Sequence, residues 1–352
     1  MQIKGSFYGV EKTEKLLSTA LAGIRHDIAE SPLADSITAV ILGGSYGRGE
    51  GGSANDGGLC NDLDFFVLVP KFAPRKKIAA IFRRISAKWS EKLAIEVDFA
   101  SPCTIEHFRR NAATLMIRDL LAAHYVIFGP ADCFADIKKI PRRDLPFSEG
   151  ARLLLNRGTG ILLAEARLQQ GMENNHDSEF IIRNLHKAAL GCGDALLIAN
   201  HLLADSGTER KTNLKRLKIP ENLYSAYSEA LNYKYRPDHE NCCELSSWLN
   251  STKKLFMETV STFMALTTLP PTRSKKSRAH YARAIFRDVS NTIPGHMRNV
   301  ILNILYFKKL PDRFLLTVHP RLKIFSMLLN ALKNPEDHDL RKRYLELWHR
   351  FN

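Results

Sequence analysis

Two stretches decide how this chain folds: Leu42-Gly43-Gly44-Ser45-Tyr46-Gly47-Arg48-Gly49-Glu50-Gly51 and Asn61-Asp62-Leu63-Asp64-Phe65-Phe66. The first follows a β-branched apolar run of strand length at 37–42. It opens a segment where eight of the chain's 20 glycines fall within sixteen residues, at 43, 44, 47, 49, 51, 52, 57 and 58. Such density places backbone where side chains do not fit, and it predicts a tight turn followed by a long mobile loop. The second stretch reads as a strand over 63–70. Side chains alternate across a strand, so Asp62 and Asp64 share one face while Leu63 and Phe65 share the other. A third strand, at 94–100, repeats the logic: Ile95, Val97 and Phe99 face the core and Glu96 and Asp98 the opposite side. Three or four acids are therefore expected to converge beside a glycine turn.

Carboxylates placed so closely repel and raise one another's pKa unless positive charge lies between them. Mg²⁺ suits that position, being a hard cation that takes a few carboxylates plus phosphate oxygens. The turn supplies the complement, because its backbone N–H groups, the Ser45 hydroxyl and the start of a helix form a cradle for phosphates.

Working outward, apolar residues at Leu17, Leu21, Ile24 and Ile28 predict a helix over 10–28, ended by Ser31-Pro32. Residues 75–93 read as an amphipathic helix, 104–123 as another, and 124–128 as a last strand before Gly129-Pro130. From Ser148 the apolar period becomes 3.6, and 151–168, 180–203, 223–231 and 245–266 read as Leu- and Ala-rich helices of a bundle. A polar, proline-led linker at 270–278 precedes short basic helices divided by Pro294, Pro311, Pro320 and Pro335. The expected organisation is a small α/β domain at 1–146, a helical domain at 147–269 and a basic, mostly helical region at 270–352.

The chain has 352 residues and a net charge of +14, and residues 271–352 hold 17 basic and 6 acidic residues, or +11 of that total. Such a region concentrates polyanions, either nucleic acid or an anionic membrane surface, or contributes only solubility. The apolar run at 289–307 is broken by Asn291, Arg298 and Asn299, short of the ~20 residues that span a bilayer. The opening residues lack the apolar core of a secretory signal. A cytoplasmic location is expected. Cys60, Cys103, Cys133, Cys192, Cys242 and Cys243 form no C-x-x-C pair, which argues for free thiols over zinc or disulfides.

Gly44-Ser45, then Asp62-x-Asp64 in an apolar strand and a single acid in a later strand, resembles the nucleotidyltransferase superfamily of DNA polymerase β. The fuller string is similar to bacterial nucleotidyltransferase-domain proteins whose acceptors are mostly unassigned. The motifs cover about 37–100 and the domain order extends to 266, without reaching the basic region. The resemblance implies an α+β fold: a small mixed sheet flanked by helices, then an all-α bundle and a basic helical tail. It implies transfer of a nucleoside monophosphate from an NTP, with ATP foremost, to an acceptor hydroxyl, with release of pyrophosphate. Asp62 and Asp64 would hold two metal ions, Mg²⁺ or alternatively Mn²⁺. Asp98 would be the third acid, binding the catalytic metal and helping to deprotonate the acceptor, with Glu96 as the alternative. Gly44 and Ser45 would hold the β- and γ-phosphates. Arg48 would neutralise phosphate or pair with Glu50, and Lys187 would reach the triphosphate or cover apolar surface with its stem.

Other signals are weaker. Arg118 and His124 superficially match the Arg-x(4–6)-His ribonuclease motif of HEPN domains but read as a helix-to-strand junction. His186 and His201 lack a nearby third metal ligand. Tyr224, Tyr227, Tyr233 and Tyr235, beside Lys234 and Arg236, either stack on a base or pack between helices. The acceptor stays open among RNA, a protein and a small molecule. The competing reading is a nucleotide-sensing or nucleic-acid-binding module with little turnover.

Overall fold

The computed structural model describes residues 4–171, 175–217, 219, 221–237, 244–267, 293–307 and 320–351. The linker at 270–278 lies outside the described residues, as do Cys242, Cys243 and Pro311. Chain compactness divides the protein into two units, one of Met1–Asp144 with Leu231–Asp238, the other of Leu145–Ala230 with His239–Asn352.

The first unit is built on four strands, β1 (Ala39–Leu42), β2 (Leu63–Leu68), β3 (Val97–Phe99) and β4 (Tyr125–Phe128), in the order β3-β2-β1-β4. β1 runs antiparallel to β2 and β4, while β2 and β3 are parallel, so the sheet is mixed. Alternation sends Val40, Leu42, Leu63, Phe65, Val67 and Val97 to one face. There they pack on the apolar stripes of α1 (Glu11–Ala29) and α3 (Arg75–Leu93), through Leu17, Ile24, Ile28, Ile78, Phe82 and Trp89. Ala39, Ile41, Phe66 and Leu68 occupy the other face with Phe108, Ile117, Leu120 and Leu121 of α4 (Ile105–Arg110) and α5 (Leu115–Ala122). The single helix expected over 104–123 is thus two, because the Thr114 hydroxyl caps a new start by accepting from the Ile117 N–H.

The second unit contains helices and no strand among its described residues. α6 (Phe147–Gln169), α7 (Asn175–Ala199) and α10 (Leu245–Thr267) bury Leu154, Ile161, Leu185, Leu196, Phe256 and Phe263. α8 (Gly207–Arg216) and α9 (Glu221–Tyr235) follow α7, and the end of α9 belongs to the first unit. α11 (Ile293–Phe307), α12 (Arg321–Lys333) and α13 (His338–Phe351) complete the described helices. Leu328 of α12 meets Gly158 of α6, and Tyr344 of α13 is hydrogen-bonded to Thr159. α8 was not expected from periodicity, since Leu214 is its only large apolar residue. Its start is nonetheless written as Ser206-x-x-Glu209, with the Ser206 hydroxyl accepting from the Glu209 N–H at 3.2 Å.

Candidate active site

β1 ends at Leu42, and the Gly43 N–H donates to the Asp64 carbonyl at 2.8 Å, which ties the turn to β2. Gly44 has φ of 61°, a left-handed conformation that L side chains rarely adopt, and a Cβ there would overlap the Asp64 carboxylate. Both facts require glycine, so the backbone lies flush against the acid. One helical turn, α2 (Gly44–Gly47), follows at once. The N–H groups of Gly44, Ser45 and Tyr46 open it without an intrahelical acceptor. The Ser45 carbonyl accepts from the N–H groups of Arg48 (3.2 Å) and Glu50 (2.9 Å), which folds the chain back beneath the turn.

β2 and β3 pair with Asp64 directly opposite Asp98. Parallel neighbours in register project to one side, so these carboxylates share a sheet face, Asp64 half-buried and Asp98 exposed. Asp62 stands one residue before β2 and Glu96 one residue before β3. The Glu96 carbonyl accepts from the Leu63 N–H at 2.9 Å. Among the described residues no group of three or more His, Cys, Asp or Glu is arranged to hold a metal ion. Of the acids expected to converge, Asp64 and Asp98 are the two that the register sets side by side. β3 spans three residues rather than 94–100, and its register with β2 begins at Leu63–Val97, one residue after Asp62 and Glu96. The pair still fits a hard cation, because its donors are carboxylate oxygens and the flush Gly44 adds no side chain at Asp64.

The glycine-rich loop is stitched down rather than mobile. Tyr46, fully buried, donates its hydroxyl to the Gly52 carbonyl at 2.7 Å and accepts from the Cys60 N–H at 3.0 Å; burial pushes its pKa up. A Cβ on Gly51 would overlap the Tyr46 ring. The Asn61 side chain accepts from the Gly52 N–H at 2.6 Å and so caps the loop. Ser6 bridges to Gly51, and the Thr13 hydroxyl donates to the Gly57 carbonyl at 3.0 Å.

Arg48 sits between two acids, with its Nε 3.7 Å from Glu50 and its Nη1 3.7 Å from Asp119. Its pairing with Glu50 is thus present. Asp119 also holds Arg142 at 2.7 Å. Buried Glu50 is clasped by Lys234 at 3.0 Å and approached by the Tyr235 hydroxyl at 3.5 Å, and Tyr235 stacks on Phe7 with ring centroids 3.8 Å apart. Arg236 donates to Asn55 at 2.9 Å. The end of α9 is thereby fastened to the loop that follows the Gly-Ser turn. This clasp joins residues 184 positions apart, so no local spacing announces it.

Lys187, His186, Arg118, His124 and the cysteines divide plainly, as does a glycine step in α7. Lys187 is half-buried on α7, within the second unit. The Gly191-Cys192-Gly193-Asp194 step is a helix crossing: a Cβ on Gly191 would overlap Arg157, and one on Gly193 the Tyr227 ring. Asp194 holds Arg210 and the Tyr227 hydroxyl, each at 2.9 Å. Burial lowers the Arg157 pKa, opposed by the Asp194 charge. His186 packs edge-on against Trp248, and desolvation lowers its pKa to about 4. Arg118 donates to the Ile140 carbonyl, and His124 Nδ1 lies 2.8 Å from the Leu120 carbonyl between α5 and β4, as a helix-to-strand junction requires. Cys60, Cys103, Cys133 and Cys192 are free thiols.

With this geometry in place, a match to known families is informative. Residues 26–123 match the nucleotidyltransferase domain family, and this part of the chain is a nucleotidyltransferase domain of the polymerase β-like superfamily. The match runs from within α1 through α5 and so contains the turn, Asp62, Asp64 and Asp98. No curated protein and no solved structure matches the chain.

Proposed function

We propose that the protein transfers a nucleoside monophosphate from an NTP, with ATP as donor, to an acceptor hydroxyl, and works in the cytoplasm. The observation that carries this reading is the in-register pair Asp64–Asp98 beside Gly44, whose backbone abuts the Asp64 carboxylate inside a nucleotidyltransferase domain. Asp62, Asp64 and Asp98 would hold two divalent ions, Mg²⁺ or Mn²⁺. Ions bound there would neutralise charge that develops on phosphate oxygens during transfer.

The chain's own groups do the rest. The N–H groups at Gly44 and Ser45 and the Ser45 hydroxyl donate to the β- and γ-phosphates. Arg48, braced by Glu50 and Asp119, adds positive charge near that turn. Lys187 is the second unit's candidate for the same charge. An Asp98 oxygen takes the proton of the acceptor hydroxyl, whose oxygen bonds to the α-phosphorus while the α–β bridging P–O bond breaks and its electron pair leaves with pyrophosphate.

The acceptor hydroxyl belongs to an RNA end, a protein side chain or a small molecule, and the basic C-terminal region favours anionic surroundings for it. The test is incubation with Mg²⁺ and each α-labelled NTP, together with total RNA, lysate protein or a metabolite extract, beside Asp64→Asn and Asp98→Asn variants. Label reaching one fraction with the wild type alone supports transfer and names the acceptor class. NTP binding without label movement in any fraction overturns it in favour of nucleotide sensing.

A further inference from the structure

Beyond the nucleotidyltransferase domain, α11 carries an inverted pattern. Met297, Ile301, Ile304 and Leu305 are 63, 55, 50 and 60% exposed. At spacings of four, seven and eight residues from Met297 they line one stripe of the helix. The opposite side faces protein and is more polar. Asn303 is fully buried, the Tyr306 carbonyl accepts from Arg343 at 2.7 Å, and the Tyr306 ring meets Phe351 edge-on and lies under Arg350. Lys323 of α12 lies over the Phe307 ring. α11 therefore docks on α12 and α13 through Tyr306 and Phe307 and turns its aliphatic stripe outward, the reverse of a helix whose outer face meets water.

Charge decides what that stripe faces. α11 contains no acidic residue, exposed Arg298 borders the stripe, and Arg343 and Arg350 are exposed at its C-terminal end, within a region of net charge +11. A second copy of the chain would bring two such regions together against their repulsion. A nucleic acid would satisfy the arginines through its phosphates but leave four aliphatic side chains in water. An anionic bilayer takes both, with the aliphatic groups at the headgroup–acyl boundary and the arginines on lipid phosphates. The helix has 15 residues, fewer than the ~20 that cross a bilayer, so it would lie in the interface. We propose that α11 is a membrane-surface contact, seating Met297, Ile301, Ile304 and Leu305 in an anionic lipid surface with Arg298 at the headgroups.

This inference stands apart from the transfer reaction and is tested without it. The full chain is sedimented with vesicles of phosphatidylcholine alone and of phosphatidylcholine mixed with phosphatidylglycerol, beside Ile301→Ser/Leu305→Ser and Arg298→Glu variants, and each protein's melting temperature is measured. The expected result is binding to the mixed vesicles alone, lowered about tenfold or more by the double serine variant and less by Arg298→Glu, with unchanged melting. Three results overturn it. The first is absence of binding to either vesicle, with or without binding to RNA. The second is binding that the serine variant leaves intact, which would make the contact one of charge alone. The third is a clear fall in melting temperature for the serine variant, which would mean that another part of the chain covers the stripe.

Discussion

Glycine-rich interruptions occur in both units, and their neighbours give them opposite meanings. At the Gly43-Gly44-Ser45 turn the missing side chain brings backbone against a carboxylate at a strand end, next to a second, exposed carboxylate. At Gly191-Cys192-Gly193 it brings one helix against Arg157 and Tyr227 of its neighbours. The first arrangement sets two carboxylates in register beside a backbone turn. In the second, Asp194 is already engaged by Arg210 and Tyr227, and the result is a joint. Composition identifies such places, while the atoms a Cβ would meet tell a site from a joint.

The sharpest way to break this contrast is at the acid itself. Asp64→Asn should lower transfer by about three orders of magnitude, roughly 4 kcal/mol of barrier, with little change in melting temperature. If the variant unfolds instead, Asp64 belongs with the joints. Next in size is the clasp on the loop. Lys234→Met removes the nearest cation from buried Glu50 and should destabilise by about 3 kcal/mol in denaturant titration. Glu50→Gln combined with Lys234→Met should recover much of that loss, and strictly additive losses would contradict the clasp.

A pH titration probes the second unit alone. His186 is held neutral, its folded pKa of about 4 lying below the unfolded value near 6.5. Between those values the unfolded chain binds the extra proton, so stability falls as pH drops through that window. The loss from pH 7 to pH 5 should be roughly 2 kcal/mol, and His186→Phe should flatten the dependence. An unchanged slope in the variant would mean that another group carries it. The smallest effects sharpen the comparison most directly. Gly44→Ala and Gly193→Ala should each cost about 1–2 kcal/mol of stability. Only Gly44→Ala should also raise the KM for NTP, and equal kinetic effects would erase the distinction.

What could be read from sequence follows physical range. Asp62-Leu63-Asp64, Gly44-Ser45 and the stripes of α1 and α3 are written in periods of two and 3.6, and they stand where alternation and periodicity put them. The loop after Gly49 was expected to be mobile because glycine lowers local order. It is held by Tyr46 and Asn61 from within the same stretch and by Thr13 and Tyr235, which no local window connects to it. Asp98 and Glu96 were equivalent by alternation alone, and the register with β2 sets Asp98 opposite Asp64. α8 lacked an apolar stripe, yet its capping box was legible. Which way the apolar stripe of α11 faces is set by its contacts with α12 and α13, which no local window connects to it.

The most direct measurement compares two positions of the label. The protein is incubated with Mg²⁺ and ATP carrying ³²P at the α- or the γ-phosphate, with the acceptor fraction present. The account predicts that α-label enters the acceptor, that γ-label appears only in pyrophosphate, and that Asp98→Asn abolishes both. Transfer of γ-label to the acceptor, or release of inorganic phosphate without acceptor labelling, would contradict it.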